Sequence, residues 1–119
     1  MLCKCAGRIA PTIRLRLERN RWQLRALRKR RELAPVACRT GRIRRDDILL
    51  FSTLRNERVR LPYFLDYYRA LGVDHFLIVD NGSEDGSRDY LAGQADVSLW
   101  HSAASYRRAR FGVDWLNGL

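Results

Sequence analysis

The chain has few lysines and few cysteines, and the cysteine pattern excludes two classes of protein. Only Lys4 and Lys29 are lysines among 23 basic residues, so arginine carries almost all of the positive charge. Cys3, Cys5 and Cys38 are odd in number, and the first two are spaced too closely for a zinc site. We therefore expect free thiols rather than a disulfide scaffold or a structural zinc, as in a reducing cytoplasm.

Long apolar segments are also missing. No apolar run approaches the roughly 18 residues that cross a bilayer, and no apolar region follows the basic N-terminus, so neither a transmembrane helix nor a signal peptide is predicted. The apolar fraction of 46% is that of a globular protein. We expect a cytoplasmic protein, and its charge is compatible with a peripheral position at the inner face of the membrane.

Positive charge is concentrated in the first part of the chain. Residues 1–45 contain 15 basic and 2 acidic residues, for a charge of +13, whereas residues 46–119 contain 8 basic and 11 acidic residues, for a charge of −3. The sequence therefore predicts a basic helical arm with a linker over residues 1–46, followed by a mildly acidic domain over residues 47–119. A uniformly basic, histone-like protein is disfavoured.

A helical pattern begins near Thr12 and continues to Leu33, with arginines between the apolar residues. Because proline disfavours helical backbone in the residue before it, Pro35 predicts the end of this helix. We expect an arginine-rich helix over residues 12–33 and a linker over residues 35–46. This helix could lie on an anionic membrane surface or bind nucleic acid, with nucleic acid the weaker alternative, and a merely solvated helix is the third interpretation.

Two buried strands separated by a helix are predicted at the start of the domain. Residues 48–54 and 76–79 are apolar runs too short for helices. Between them, Pro62 marks the first turn of a helix and Gly72 follows its last turn. Such a unit requires parallel strands and a right-handed crossover. The remaining predicted elements are a short helix at 87–91, a third strand at 97–100 and a helix at 105–118.

Polar residues follow each of the first two strands, at 53–57 and 80–83. Ligands of open parallel sheets bind beyond the carboxyl ends of the strands, so we expect both clusters to reach one ligand. Asp80 would accept hydrogen bonds from a ribose or a base, and Asn81 could both donate to and accept from a base edge. Ser83 could cap the turn. The alternative is a solvated turn, for which the same residue types are common.

Several cofactor motifs are missing from the sequence. No glycine-rich dinucleotide motif follows the first strand, and no Walker A motif is present. Residues 80–85 are acidic but lack the glycine and glutamate positions of a calcium loop. His75 and His101 are isolated in the sequence, and we interpret each as a residue at the edge of the core or on the surface.

Three segments in this order resemble the start of a family 2-like glycosyltransferase domain. They are the segment 48–57, which ends in Arg-Asn-Glu, the helical segment 61–76, and the segment 79–86, which contains Asp-Asn-Gly-Ser. The resemblance is to a bacterial branch with these motifs and covers residues 47–117. It implies an α/β fold, the N-terminal half of a GT-A (Rossmann-like) domain with a parallel strand–helix–strand core.

The same resemblance implies a site for a nucleoside-diphosphate sugar. The first strand end would provide a nucleotide-contacting loop, and Asp80 and Asn81 would approach the base and the ribose. Relatives often have a second aspartate where this chain has Asn81. The residues assigned in this way to nucleotide-sugar binding are Thr53, Arg55, Asn56, Glu57, Asp80, Asn81 and Ser83.

In a complete member of this family, a carboxylate would deprotonate an acceptor hydroxyl, which would attack the anomeric carbon of the donor. Mg²⁺ or Mn²⁺ would neutralise the leaving diphosphate, and the motif is typical of inverting enzymes. This chain has no Asp-x-Asp motif, and Asp114, the only acidic residue after Asp96, stands alone in a predicted helix. We therefore expect a truncated domain without metal ligands or catalytic base, inactive alone. The alternative is a non-catalytic nucleotide-binding or interaction fragment.

Overall fold

Short helices and strands alternate along the chain after one long N-terminal helix. The computed structural model describes residues 11–119, and side chains from residue 12. Cys3 and Cys5, expected to be free thiols, lie outside these residues, whereas Cys38 is exposed and free. The elements in chain order are α1 (Pro11–Arg30), β1 (Ala34–Ala37), a 3₁₀ turn (Thr40–Arg42), β2 (Leu49–Leu54), α2 (Leu61–Ala70), β3 (His75–Asp80), α3 (Ser87–Ala92), β4 (Val97–His101) and α4 (Val113–Leu116).

The four strands form one mixed sheet in the order β1-β4-β3-β2. β2, β3 and β4 are parallel, and β1 pairs antiparallel with β4. Every residue of β3 is buried, as expected for a central strand of a sheet covered on both faces. The predicted α/β class and the parallel strand–helix–strand core are confirmed, and the arrangement is consistent with a Rossmann-like fold.

Apolar side chains pack on both faces of the sheet. Because successive side chains of a strand alternate, Phe76 and Ile78 of β3 lie on one face and Val79 on the other. The face that carries Phe76 forms the larger core with α2 and α3, and the second face packs against Ala109 and Trp115. The buried members of the larger core are Leu61, Leu65, Phe76, Ile78, Leu91, Val97 and Leu99.

The linker predicted over residues 35–46 is wrong where the chain forms β1. This strand lies at the edge of the sheet, where Pro35 is tolerated because an edge strand needs hydrogen bonds on one side only. Beyond it, the guanidinium of Arg39 donates to the carbonyl oxygens of Val97 and Ala92 at 2.9 and 2.7 Å. The segment after α1 is therefore attached to the sheet.

The helix predicted over residues 105–118 is wrong for most of its length, and only α4 is helical. Arg110, Phe111 and Gly112 have φ values of 49°, 56° and 84°, and left-handed backbone cannot continue a right-handed helix. Gly112 also lies so close to Thr53 that a Cβ there would approach the Oγ1 atom to 2.6 Å. The turn at Gly112 thus brings the C-terminal segment against β2.

The arginine-rich helix is confirmed as α1, although it ends at Arg30. Its last turns pack against α4, where Ala26 is buried and Arg25 Nε donates to Asp114 Oδ2 at 2.7 Å. Asp114, which stands alone in the sequence, is fully buried and also accepts a hydrogen bond from Arg110. The first turns of α1 extend from the domain, which makes the described chain 71 Å long. None of the helices at residues 11–119 is both long and apolar enough to cross a membrane.

Candidate functional site

The polar segments after β2 and β3 meet at the carboxyl edge of the sheet, as the sequence predicted. We call them corner 55–57 and corner 80–83. The Asn56 N–H donates to Ser83 Oγ at 2.9 Å, and the Asn81 N–H donates to the Leu54 carbonyl at 2.9 Å. Parallel pairing of β2 with β3, in which Leu54 is opposite Asp80, places the two strand ends at the same level.

Asn56 connects the two corners through both its backbone and its side chain, and its backbone conformation makes this possible. Its φ of 54° is in the left-handed region that asparagine tolerates better than most residues. This turn lets Asn56 Oδ1 accept a hydrogen bond from the Glu84 N–H at 2.8 Å. Two further bonds tie the loops together, because the Glu57 N–H donates to Ser87 Oγ at 3.1 Å and the Arg58 N–H donates to Asp85 Oδ2 at 2.9 Å.

The carboxylate of Asp85 holds this contact between the loops. A hydrogen bond from the Ser87 hydroxyl, together with the N–H groups of Arg58 and Ser87, holds the pKa of Asp85 below its ordinary value. The carboxylate therefore stays ionised and fixes corner 55–57 against the start of α3. Sequence reasoning missed this role, although aspartate side chains in turns often accept a hydrogen bond from the backbone two residues later.

Two concave surfaces open beside the corners. The larger is a cavity of about 600 Å³ between β2, the start of α2 and the segment after β4. The smaller, of about 440 Å³, lies between corner 80–83 and residues 103–107. Arg55, Asn81 and Tyr106 line both, so the two cavities adjoin at these three residues.

The predicted site residues divide between the cavity walls and the supporting turns. Thr53, Arg55, Glu57 and Asn81 line the larger cavity, whereas the other three predicted residues line neither cavity. Those three are Asn56, Asp80 and Ser83, which bond the corners to each other and to α3. Glu57 is the only carboxylate on the wall of either cavity among residues 12–119.

Asp80 is fully buried below corner 80–83. Its Oδ2 atom accepts hydrogen bonds from the Ser83 N–H and from Arg88 Nε, both at 3.2 Å, and lies 3.5 Å from His101 Nδ1. Its Oδ1 atom and His101 Nδ1 are both buried without a hydrogen bond from the described residues. Unsatisfied buried polar atoms are costly, so these two atoms are a polar weak point in the packing below corner 80–83.

The side chain of Asn81 is already committed as a donor. Its Nδ2 atom donates to the carbonyl oxygens of Ser102 and Ala104 at 2.9 and 3.0 Å, which uses both of its hydrogens. The sequence predicted that Asn81 could both donate to and accept from a base edge, and the donor part of this prediction is wrong. Only the amide oxygen of Asn81 is free to accept a hydrogen bond from a ligand.

Three residues at the site were not found by sequence reasoning. Tyr106 lines both cavities but was predicted to lie in a helix, and Arg88 and His101 surround Asp80 from α3 and from the end of β4. His101 is isolated only along the sequence. Its position at the carboxyl end of a strand parallel to β3 was the signal that could have placed it beside Asp80.

A divalent cation does not fit the residues that the structure describes. Within residues 12–119, no group of three or more histidine, cysteine, aspartate or glutamate side chains is arranged to hold a metal. At the corners, Asp85 is occupied by loop hydrogen bonds and Asp80 has only one free oxygen. Mg²⁺ and Mn²⁺ bind oxygen ligands, often one or two carboxylates together with substrate phosphates, and residues 12–119 offer no cluster of such ligands at the corners.

The fold and the site define an α/β domain with cavities at the carboxyl edge of a largely parallel sheet. This is the position at which proteins of that architecture bind their ligands. No protein-family model matches the chain, and neither a curated protein nor a solved structure is significantly similar to it.

Proposed function

We propose that residues 47–119 are the nucleotide-sugar-binding part of a glycosyltransferase-type domain of the GT-A kind, and that their ligand is a nucleoside-diphosphate sugar. The observation that carries this proposal is the convergence of the Arg-Asn-Glu and Asp-Asn-Gly-Ser motifs at one cavity. Its volume of about 600 Å³ is within the range of small-molecule sites.

The cations at the cavity support a diphosphate ligand. Arg55 lines both cavities, Arg60 lines the larger and Arg107 the smaller. Arginine binds phosphate oxygens through two parallel N–H groups, which a lysine cannot do. Glu57 also lines the larger cavity, and its Oε2 atom lies 3.5 Å from Arg60 Nη1. With two arginines and one glutamate, the lining of this cavity has a net positive charge.

A free acceptor at corner 80–83 supports recognition of the nucleoside. The amide oxygen of Asn81, which lines both cavities, accepts no hydrogen bond from the described residues, whereas Asp80 Oδ1 is buried below the corner and lines neither cavity. Ribose hydroxyls and base N–H groups are donors of the kind that such oxygens accept. The ring of Tyr106 adds an aromatic surface on which a base could stack.

Calorimetric titration of the full chain with UDP and with GDP, each with and without Mn²⁺, tests the proposal. We expect one nucleotide to bind, and Arg55→Ala to weaken binding by about tenfold because a charge-assisted pair to phosphate is lost. Arg45→Ala is the matched control, since Arg45 is an exposed arginine that lines neither cavity. The proposal would be contradicted if neither nucleotide binds, or if Arg55→Ala and Arg45→Ala weaken binding equally.

A further inference from the structure

α1 has a narrow apolar stripe that no described residue covers. Its members alternate at spacings of four and three residues, so they lie on one side of the helix. We call this stripe the seam, and it consists of Ile13, Leu17, Asn20, Leu24 and Leu27. The four apolar members are 52–58% exposed, which is unusual for large side chains that repeat along one helix face.

The seam faces away from the domain. The contacts of α1 with the domain include Trp22, whose ring lies 4.1 Å below the Arg110 guanidinium, together with Arg25 and the buried Ala26. At about 100° per residue, Trp22 and Ala26 lie on the side of the helix opposite Leu24, and Arg25 lies about 100° from it. Packing of α1 on its own domain therefore leaves the seam available.

Arginines border the seam on both sides. One flank has an arginine at every seventh residue, and the other has two arginines and a glutamine. These residues are Arg14, Arg21 and Arg28 on the first flank, and Arg16, Gln23 and Arg30 on the second. Within residues 12–119, the one ion pair that these arginines make joins Arg14 to the exposed Glu18 at 3.2 Å. The flanks thus present unneutralised positive charge beside apolar side chains.

We propose that the seam binds an amphipathic helix of a partner protein, with leucine-type residues facing the seam and acidic residues on both flanks. The alternating spacing is that of heptad positions a and d, at which side chains of two helices interdigitate. The flanking positions are those where charges select the partner, so arginines on this helix select glutamate or aspartate on the other. Asn20 would meet a polar residue and set the register. This inference is independent of the nucleotide-sugar site.

Charge and shape disfavour the other occupants. In a pair of two α1 helices, either orientation would place arginine flanks together. A membrane surface favours a wide apolar face, whereas the seam is one side chain wide and is interrupted by Asn20. Trp22, the residue type that anchors helices at a lipid interface, lies on the opposite side below Arg110. Nucleic acid would use the arginines but not the leucines.

The test uses the full chain and two synthetic three-heptad peptides with leucines at the facing positions and one asparagine. One peptide has glutamate at every flanking position, and the other has lysine. Fluorescence anisotropy should show that the glutamate peptide binds at least about tenfold more tightly than the lysine peptide. The double variant Leu17→Ser/Leu24→Ser should lose about tenfold or more in affinity for it, because two apolar contacts are removed.

The control variant is Leu15→Ser, which changes a leucine that is 66% exposed on the other side of α1 and should bind as the parent does. Circular dichroism shows whether the variants keep their helix. The proposal is overturned if the glutamate peptide does not bind, if both peptides bind equally, or if Leu17→Ser/Leu24→Ser binds like the parent. Three results would each favour another occupant when the peptide does not bind. They are the loss, in Leu17→Ser/Leu24→Ser, of self-association in sedimentation, of flotation with phosphatidylglycerol vesicles, or of binding to an oligonucleotide. Any of these results would overturn the proposal.

Discussion

Asp114→Asn is the substitution that should reveal how firmly α1 is attached to the domain. The buried carboxylate of Asp114 accepts hydrogen bonds from Arg25 Nε and Arg110 Nε, each at 2.7 Å. Arg25 is on α1 and also donates to the carbonyl oxygen of Arg108 at 3.1 Å. Asparagine has nearly the same shape but no charge, so it would leave two guanidinium groups beside a neutral amide.

The expected loss follows from the exposure of the partners. A hydrogen bond to a charged group contributes about 1.5–3 kcal/mol, and Asp114 makes bonds of this kind to two arginines. The side chains of Arg25 and Arg110 are 44% and 31% exposed, so water compensates part of what they lose. We expect a loss of about 2 kcal/mol in the free energy of unfolding, or about 8 °C in Tm for a chain of this size.

The pH dependence separates a charge effect from a packing effect. Burial raises the pKa of Asp114, but the hydrogen bonds from Arg110 and Arg25 outweigh burial and hold the pKa below its ordinary value. A carboxyl with a lowered pKa in the folded state stabilises the protein above its unfolded-state pKa of about 4, and this contribution is lost as pH falls through the folded pKa. The difference between parent and variant should therefore be full at neutral pH and narrow below about pH 4.

Urea unfolding followed by tryptophan fluorescence measures this difference across the pH range. Asp66→Asn is the control, because Asp66 is 77% exposed and its pair with Arg69 should contribute less than about 0.5 kcal/mol. Equal unfolding midpoints for Asp114→Asn and Asp66→Asn would refute the reasoning. A deficit that does not change with pH would refute the electrostatic part of it.

Two further substitutions test the fold and its response to acid. Gly112→Ala should lower the free energy of unfolding by about 2–4 kcal/mol, because Gly112 has a positive φ and a Cβ there would approach Thr53 Oγ1. The control Gly41→Ala, whose Cβ would meet no atom within 4 Å, should melt near the parent. Similar melting temperatures for the two variants would contradict this prediction. Burial lowers the pKa of His75, so stability should fall as pH drops below about 6.5, the unfolded-state value. His75→Gln, which can still bond to Ser98 Oγ, should flatten this slope, and an unchanged slope between pH 7 and pH 5 in urea titrations would argue against it.

The parallel part of the fold was predictable because its signals are local. The apolar runs that became β2 and β3 enclose a helix with Pro62 at its start and Gly72 after its end. β1 was not predictable in this way, because a short strand that contains Pro35 is defined by its partner β4, more than 60 residues later in the sequence. The C-terminal helix was overestimated, since periodicity does not reveal that Arg110 and Phe111 have positive φ.

The candidate site was predictable in its position and less so in its chemistry. The rule that parallel strands end at one edge correctly brought corner 55–57 and corner 80–83 together. The same rule could not show that carbonyl groups after β4 would occupy both hydrogens of Asn81. It also could not bring Tyr106 to the cavity, because that residue arrives through an irregular turn rather than a regular element.

One short segment supports both the cavity wall and the attachment of the basic helix. The ring of Tyr106 lines the cavity and lies 6.3 Å from the ring of Trp115, whose Nε1 donates to Glu32 Oε2 at 2.9 Å just after α1. The neighbouring Asp114 binds Arg25 of α1. Because the ring of Tyr106 packs against Trp115 of α4, a shift of α4 away from α1 should also move the Tyr106 ring. The position of the helix and the shape of the cavity are therefore linked, so a change that loosens Asp114 should disturb both.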